Sequence, residues 1–225
     1  MQALVSLLGT FGLGAAGWTL LEYLLHRFVF HGASATRLGA KEHRQHHAQV
    51  DYFAPWWQKA LAALAATAVA LPLFVGLAGA ATALSLTAGF IAMYLLYEVL
   101  HRRAHTCPPR SAYGRWRRRN HFAHHFADPR RALGVTTPVW DLVFATTLPV
   151  ERVRVPRRLV MPWLVDAHGE IWPAYADDYE LVGSALKDSR TRRADTEAAM
   201  HNRSPAADVS PPETAERSPA ARDQG

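Results

Sequence analysis

Ten of the twelve histidines fall into four clusters: His26 and His31; His43, His46 and His47; His101 and His105; His121, His124 and His125. Two clusters spell one pattern, His-x-x-His-His, in "HRQHH" and "HFAHH". Residues three and four apart share a helix face, so each triplet can aim its rings one way, and His101 and His105 lie one turn apart. His26 and His31 differ by about 140° on an ideal helix. They converge only if the helix ends or bends between them, or if other helices fill the gap. Protonated imidazoles crowded in this way would repel, and neutral buried ones would each need partners for two ring nitrogens. A metal resolves both problems, because it takes a lone pair and favours the neutral ring. One ion takes about four to six ligands, so ten imidazoles predict two ions.

Imidazole suits iron, zinc, copper and nickel. Structural zinc would not need ten histidines, and a redox iron pair beside a lipid-facing cavity would explain more, since zinc has no redox chemistry; the residues by themselves do not identify the ion. Zinc can still load such a site on isolation. The carboxylates expected to hold the outer ring nitrogens are Glu22, Glu98, Asp51, Asp128 and Asp141. Glu22 precedes His26 by one turn, and Glu98 stands just before His101. Both end apolar runs, where an unpaired carboxylate is costly. His168 and His201 stand alone and read as ordinary histidines.

These rings need a scaffold, and the hydropathy pattern supplies one. The mean hydropathy of −0.09 hides strong segregation. Met1–Leu21 and Ala60–Tyr97 carry no charge. A helix needs about 20 apolar residues to cross the hydrocarbon core. The predicted class is therefore an all-α integral membrane protein with about three spans, near 3–25, 59–78 and 80–100. Residues 101–183 form a cytoplasmic helical cap that completes a histidine-rich dimetal site. Lengths and flanks disfavour a soluble bundle, and the N-terminus lacks the basic start of a cleaved signal.

Within this frame, 32–40 is a loop, 41–50 is helical, and Pro55, Trp56 and Trp57 return the chain to the interface. Pro72 falls inside the second span, which membrane helices tolerate. Pro108 and Pro109 end the third helix. Residues 112–127 form the helix carrying "NHFAHHF", and "LGVTTPVWDLVFATT" is mixed loop and short helix packed on the core. The membrane-embedded domain runs over 1–183. The tail, 184–225, is polar, almost free of aromatics and expected to be disordered.

Lys and Arg flank the loop between the first two spans and follow the third, so the histidine clusters and the C-terminus are expected in the cytoplasm and the N-terminus outside. The net charge of +6 and the run "RWRRRN" raise nucleic acid as a partner. Its position just beyond a span points instead to anionic lipid headgroups, or to an acidic electron carrier. The single cysteine, Cys107, can form no internal disulfide.

The order His-x4-His, His-x2-His-His, His-x3-His, His-x2-His-His resembles the fatty acid hydroxylase and sterol desaturase superfamily of membrane di-iron oxygenases. "WTLLEYLLHRFVFHG", "HRQHHAQVDYFAP", "HRRAHTCPP" and "NHFAHHFAD…LGVTTPVWDLVF" are most similar to fatty acid 2-hydroxylases, over about residues 18–148. The resemblance implies that the ten clustered histidines hold two iron ions. It implies O2-dependent hydroxylation of a lipid acyl chain at C2, with Trp140 and Phe144 walling the chain's path. Electrons would come from NAD(P)H through a separate carrier protein, because no haem domain precedes the first span. One fewer span than the family pattern is also expected.

Three alternatives remain at this point. A carotenoid or sterol hydroxylase or desaturase shares nearly the same histidine spacing. A membrane metal-binding or transport protein would place ionisable ligands within its spans, whereas residues 60–97 hold no His, Asp or Glu. A membrane haem protein would bury axial histidines in mid-span.

Overall fold

The computed structural model describes residues 1–32 and 38–183. The expected disordered tail, His201 and part of the 32–40 loop lie outside the described residues. Three helices are long and apolar enough to cross a membrane. The first, α1 (Gln2–Leu24), runs on through a π-helical turn at Leu25–Phe30. Then follow α2 (Leu38–Ala48), α3 (Trp56–Ala78), α4 (Ala80–Thr106), α5 (Ala112–Phe126) and the short α6 (Val139–Val143). The first and third helices run on past the spans expected to end near 25 and 100, to Phe30 and Thr106, and α2 begins three residues earlier than the helix expected from 41.

The three long helices are held by different means. α1 packs on α4 at two glycines: a Cβ on Gly14 would stand 1.9 Å from the Leu86 carbonyl oxygen, and one on Gly89 would stand 2.0 Å from that of Phe11. Only glycine permits that approach, and close backbone packing is how membrane helices associate without a hydrophobic drive. α3 buries none of its residues and exposes Leu61, Leu64, Val69 and Leu73, the composition of a lipid-facing helix. It accommodates Pro72 in its interior and ends at Gly79, whose positive φ of 81° makes the tight turn into α4. Near the opposite ends of this hairpin, Lys59 pairs with Glu98 at 2.5 Å.

The cap is helical where it carries histidines and gains a feature that the all-helical expectation lacks. Two short strands, β1 (Val153–Pro156) and β2 (Tyr179–Val182), pair in parallel, with Val153 opposite Tyr179. Val153, Val155, Met161, Leu164 and Tyr179 are buried with Phe122 of α5, forming the apolar core of the cap. Trp163 donates its indole N–H to the Ala104 carbonyl at 3.0 Å, which ties this core to α4. The strands are four residues long, too short for a clear alternation signal, and their pairing depends on contacts distant in sequence.

Candidate metal centre

The ten clustered histidines converge as two groups of five. One contains His26, His31, His43, His47 and His124; the other contains His46, His101, His105, His121 and His125. Within each group the ligand atoms lie within 4.8 Å of one another. His168 is exposed and belongs to neither.

Helix periodicity explains the division. In α2, His43 and His47 are four apart and serve the first group, while His46 turns to the second. In α5, His121 and His125 are four apart and serve the second group, while His124 turns to the first. Each His-x-x-His-His motif therefore gives two rings to one group and one to the other, in opposite senses. His101 and His105 complete the second group from α4.

The pair His26 and His31 completes the first group by the bend that its spacing requires. The His31 N–H donates to the His26 carbonyl at 3.2 Å, an i→i+5 bond across the π-helical turn. The wider turn rotates less per residue, so residues five apart come closer to one face than on an α-helix.

The outer nitrogens identify the tautomers. His26 Nδ1 lies 2.6 Å from the Leu133 carbonyl oxygen, His124 Nδ1 lies 2.9 Å from that of Arg131, and His46 Nδ1 lies 2.7 Å from that of Tyr52. A carbonyl only accepts, so each of these nitrogens carries the proton and each Nε2 presents a bare lone pair inward. Yet His26 Nε2 stands 3.2 Å from His43 Nε2, and His124 Nε2 stands 3.2 Å from His47 Nε2 and 3.1 Å from His31 Nε2. His43 Nε2 is also 2.8 Å from that of His31 and 3.0 Å from that of His47. One N–H per neutral ring cannot satisfy so many contacts. A cation at the centre accepts all five lone pairs at once, so the residues fit a metal. The second group repeats the arrangement: His46 and His101 approach to 3.0 Å, His105 and His121 to 2.8 Å, and His125 and His121 to 3.1 Å.

Burial keeps these rings neutral. It lowers His31 and His46 from 6.5 to about 4 and His47 to about 2. His43, His121, His124 and His125 are also driven well below 6.5, first by burial and then by the neighbouring imidazoles. Neutral imidazole is the form that ligates a metal.

The carboxylates have other partners. Glu22 accepts from the Val135 N–H at 2.6 Å, the Thr136 N–H at 3.1 Å and the Thr136 hydroxyl at 2.5 Å. Asp141 accepts from the N–H groups of Leu133 and Gly134, at 2.9 and 2.8 Å, and from the Thr146 hydroxyl at 2.7 Å. Together they clamp the 133–136 segment, whose Leu133 carbonyl holds His26. Glu98 is taken by Lys59, Asp128 accepts from the Arg130 N–H at 3.0 Å, and Asp51 is exposed. Among the described residues none of the five expected carboxylates bonds an imidazole; main-chain carbonyls take that place. A carbonyl acceptor has no residue-type signature, so Tyr52, Arg131 and Leu133 could not be read from the sequence. The spacing of five between His26 and His31 was the signal for the π-helical turn.

The same clamp ties α1 to the cap. Tyr23 donates its hydroxyl to Thr146 at 2.9 Å, since the Thr146 proton goes to Asp141. Its ring stacks on Phe144 with centroids 5.2 Å apart. Trp140 donates its indole N–H to Thr19 at 3.0 Å.

With two histidine groups and their helices in place, the family comparison is decisive: residues 11–146 match the fatty acid hydroxylase family. The chain belongs to that family. Among curated fatty acid hydroxylase relatives, it is 33% identical to the fatty acid 2-hydroxylase of Rattus norvegicus, over 64% of this chain and 41% of that protein. It is 31% identical to a dihydroceramide fatty acyl 2-hydroxylase of Arabidopsis thaliana, over 59% of this chain and 58% of that protein. Thus this fatty acid hydroxylase chain matches roughly two-fifths to three-fifths of these relatives' length. The fold is similar to that of full-length scs7p, in which only the hydroxylase domain is visible, with a TM-score of 0.51 and 25% identity, covering 65% of this chain and 57% of that one.

Proposed function

We propose that this protein hydroxylates a lipid acyl chain, at the carbon next to the carboxyl, within the membrane. The observation that carries the reading is the pair of five-imidazole groups beside three apolar helices. The names of the relatives favour the acyl chain over a sterol or carotenoid ring.

Two iron ions would be held by His26, His31, His43, His47 and His124, and by His46, His101, His105, His121 and His125. Bound there, they supply the redox chemistry by which one atom of O2 enters a C–H bond and the other leaves as water, with two electrons and two protons consumed. The electrons come from NAD(P)H through a separate carrier. The chain's own residues orient and exclude. Leu133, Arg131 and Tyr52 fix three rings by their carbonyls, and Glu22 and Asp141 hold the segment that carries Leu133. Burial of His26, His46, His101, His105, His121 and His124 keeps bulk water from those rings.

The acyl chain approaches along α6, which exposes Val139, Leu142 and Val143, and along Phe144 just after it. An exposed apolar face of this kind is at home against lipid. Trp140 and Phe144, fastened to Thr19 and Tyr23, would wall the acyl chain's path. The centre and the C-terminus would face the cytoplasm and the N-terminus the outside, a reading supported by the excess of Arg and Lys on the histidine side of the spans.

The test is lipid mass spectrometry of cells expressing the wild type or His124→Ala together with an active electron donor. The wild type is expected to produce 2-hydroxy acyl chains and the variant none, although both insert in the membrane. Absence of hydroxylated lipid with an inserted, iron-loaded wild type overturns the reading.

A further inference from the structure

A second set of polar groups lacks partners in the pocket between the end of α4 and the start of α5. It encloses about 140 Å3, and its walls include Leu100, Arg103, Arg110, Ser111, Gly114 and Arg117. Arg117 is only 2% exposed, and its Nε and Nη1 are buried without a hydrogen-bond partner. Its neighbour Arg118 is fully employed, donating to the carbonyls of Arg103 at 2.7 Å, Cys107 at 2.8 Å and Gly114 at 3.0 Å. The buried carboxylates are engaged elsewhere: Glu22 and Asp141 by the 133–136 segment, and Asp178 by Arg115 and Arg119. Burial lowers the Arg117 guanidinium to about 10, so it is a cation at neutral pH. Glu22 attracts this cation through space, but no group among the described residues accepts a hydrogen bond from its Nε or Nη1, and buried donors left unpaired are costly, which calls for an acceptor from outside the chain.

The pocket is built for one. α5 begins here, with the Ser111 hydroxyl accepting from the Gly114 N–H at 3.1 Å. The first turn of a helix offers backbone N–H groups and the positive end of its dipole to an anion. Arg103 and Arg110 add positive charge beside it, and the planar guanidinium of Arg117 offers a fork suited to phosphate oxygens.

Depth indicates the source. α4 starts at Ala80, and about 20 helical residues cross the hydrocarbon core. Leu100, on the pocket wall, therefore lies where headgroups begin. We propose that this pocket binds the phosphate of an anionic membrane lipid, with Arg117 as its buried ligand and Arg103 and Arg110 around it. The proposal rests on the fold and the unpartnered guanidinium, and is independent of the reaction.

The test is native mass spectrometry of the full chain in detergent, titrated separately with phosphatidylglycerol, diacylglycerol and inorganic phosphate. The expected result is binding of phosphatidylglycerol at least about tenfold tighter than diacylglycerol, since only the former brings charge-assisted hydrogen bonds. Arg117→Gln should abolish that preference. The double variant Arg103→Gln/Arg110→Gln alters side chains outside the buried core and should weaken it several-fold with the fold intact. Equal affinity for phosphatidylglycerol and diacylglycerol, or a preference unchanged in both variants, overturns the proposal. Saturation by inorganic phosphate without a lipid preference overturns its assignment to a lipid.

Discussion

His124 and His125 are neighbours in the chain, yet their rings serve different centres: His124 joins His26, His31, His43 and His47, and His125 joins His46, His101, His105 and His121. A single helical step of about 100° separates the two directions. His124→Ala and His125→Ala should therefore each deplete one ion and spare the other. Iron content by elemental analysis should fall from about two per chain toward one in either variant. The exposed His168→Ala should leave it unchanged.

Metal removal should loosen the structure more than it does in proteins with a single isolated site. Without cations, His26, His46 and His124, whose N–H groups point outward to carbonyls, turn bare lone pairs on the neighbouring imidazoles. Chelation is expected to lower the melting temperature in detergent, and iron or zinc to restore it, as read by a thermal-shift assay.

The metal-free protein should lose stability as the pH falls below about 6.5. His31 and His46 titrate near 4 when folded, against 6.5 when unfolded. Below 6.5 the unfolded chain binds more protons than the folded one, so stability declines as the pH drops, and the decline continues below pH 4 because His47 is lowered further, to about 2. Neutral rings above pH 6.5 carry no such penalty. Denaturation midpoints of the apo-protein at pH 7.5, 6 and 5 should fall in that order.

Glu22→Ala should strand three buried donors, on Val135 and Thr136. Each unsatisfied group costs about 1–3 kcal/mol. The Leu133 carbonyl would shift with its segment, and activity should fall by about 10- to 100-fold, as for other groups that orient metal ligands. Glu22→Gln keeps one acceptor and should fall between the variant and the wild type in both thermal stability and product formation.

Gly14→Leu should separate α1 from α4, because its added Cβ alone would stand 1.9 Å from the Leu86 carbonyl oxygen. The expected outcome is loss of folded, metal-loaded protein on size-exclusion chromatography. Gly9→Leu, with nothing within 4 Å of its added Cβ, should be tolerated.

The parts legible in the sequence were those encoded by residue type and period. Uncharged runs pointed to three long apolar helices, the prolines Pro108 and Pro109 follow the end of α4 at Thr106, and the histidine spacing picked out all four clusters that the structure brings together. The partition of each triplet between two centres was not legible, because a shared helix face does not say which neighbour each ring will meet. The β1–β2 pair was missed because four-residue strands leave no period to read. Arg117 looked like one more member of a basic run; its burial depends on how α5 meets α4. The role of Glu22 was misplaced by one step: it supports the segment that supports His26, and only the folded path of residues 133–136 reveals the intermediary.

That intermediary is a main-chain atom, and so are the other two acceptors, at Tyr52 and Arg131. Every amino acid carries the same carbonyl, so no point substitution at those three positions can delete the acceptor itself. The orientation of the rings is thereby shielded from drift at the positions that hold them, and depends instead on preserving the local path of the chain. Insertions or deletions between Arg131 and Asp141 should thus be more damaging than replacements at Leu133.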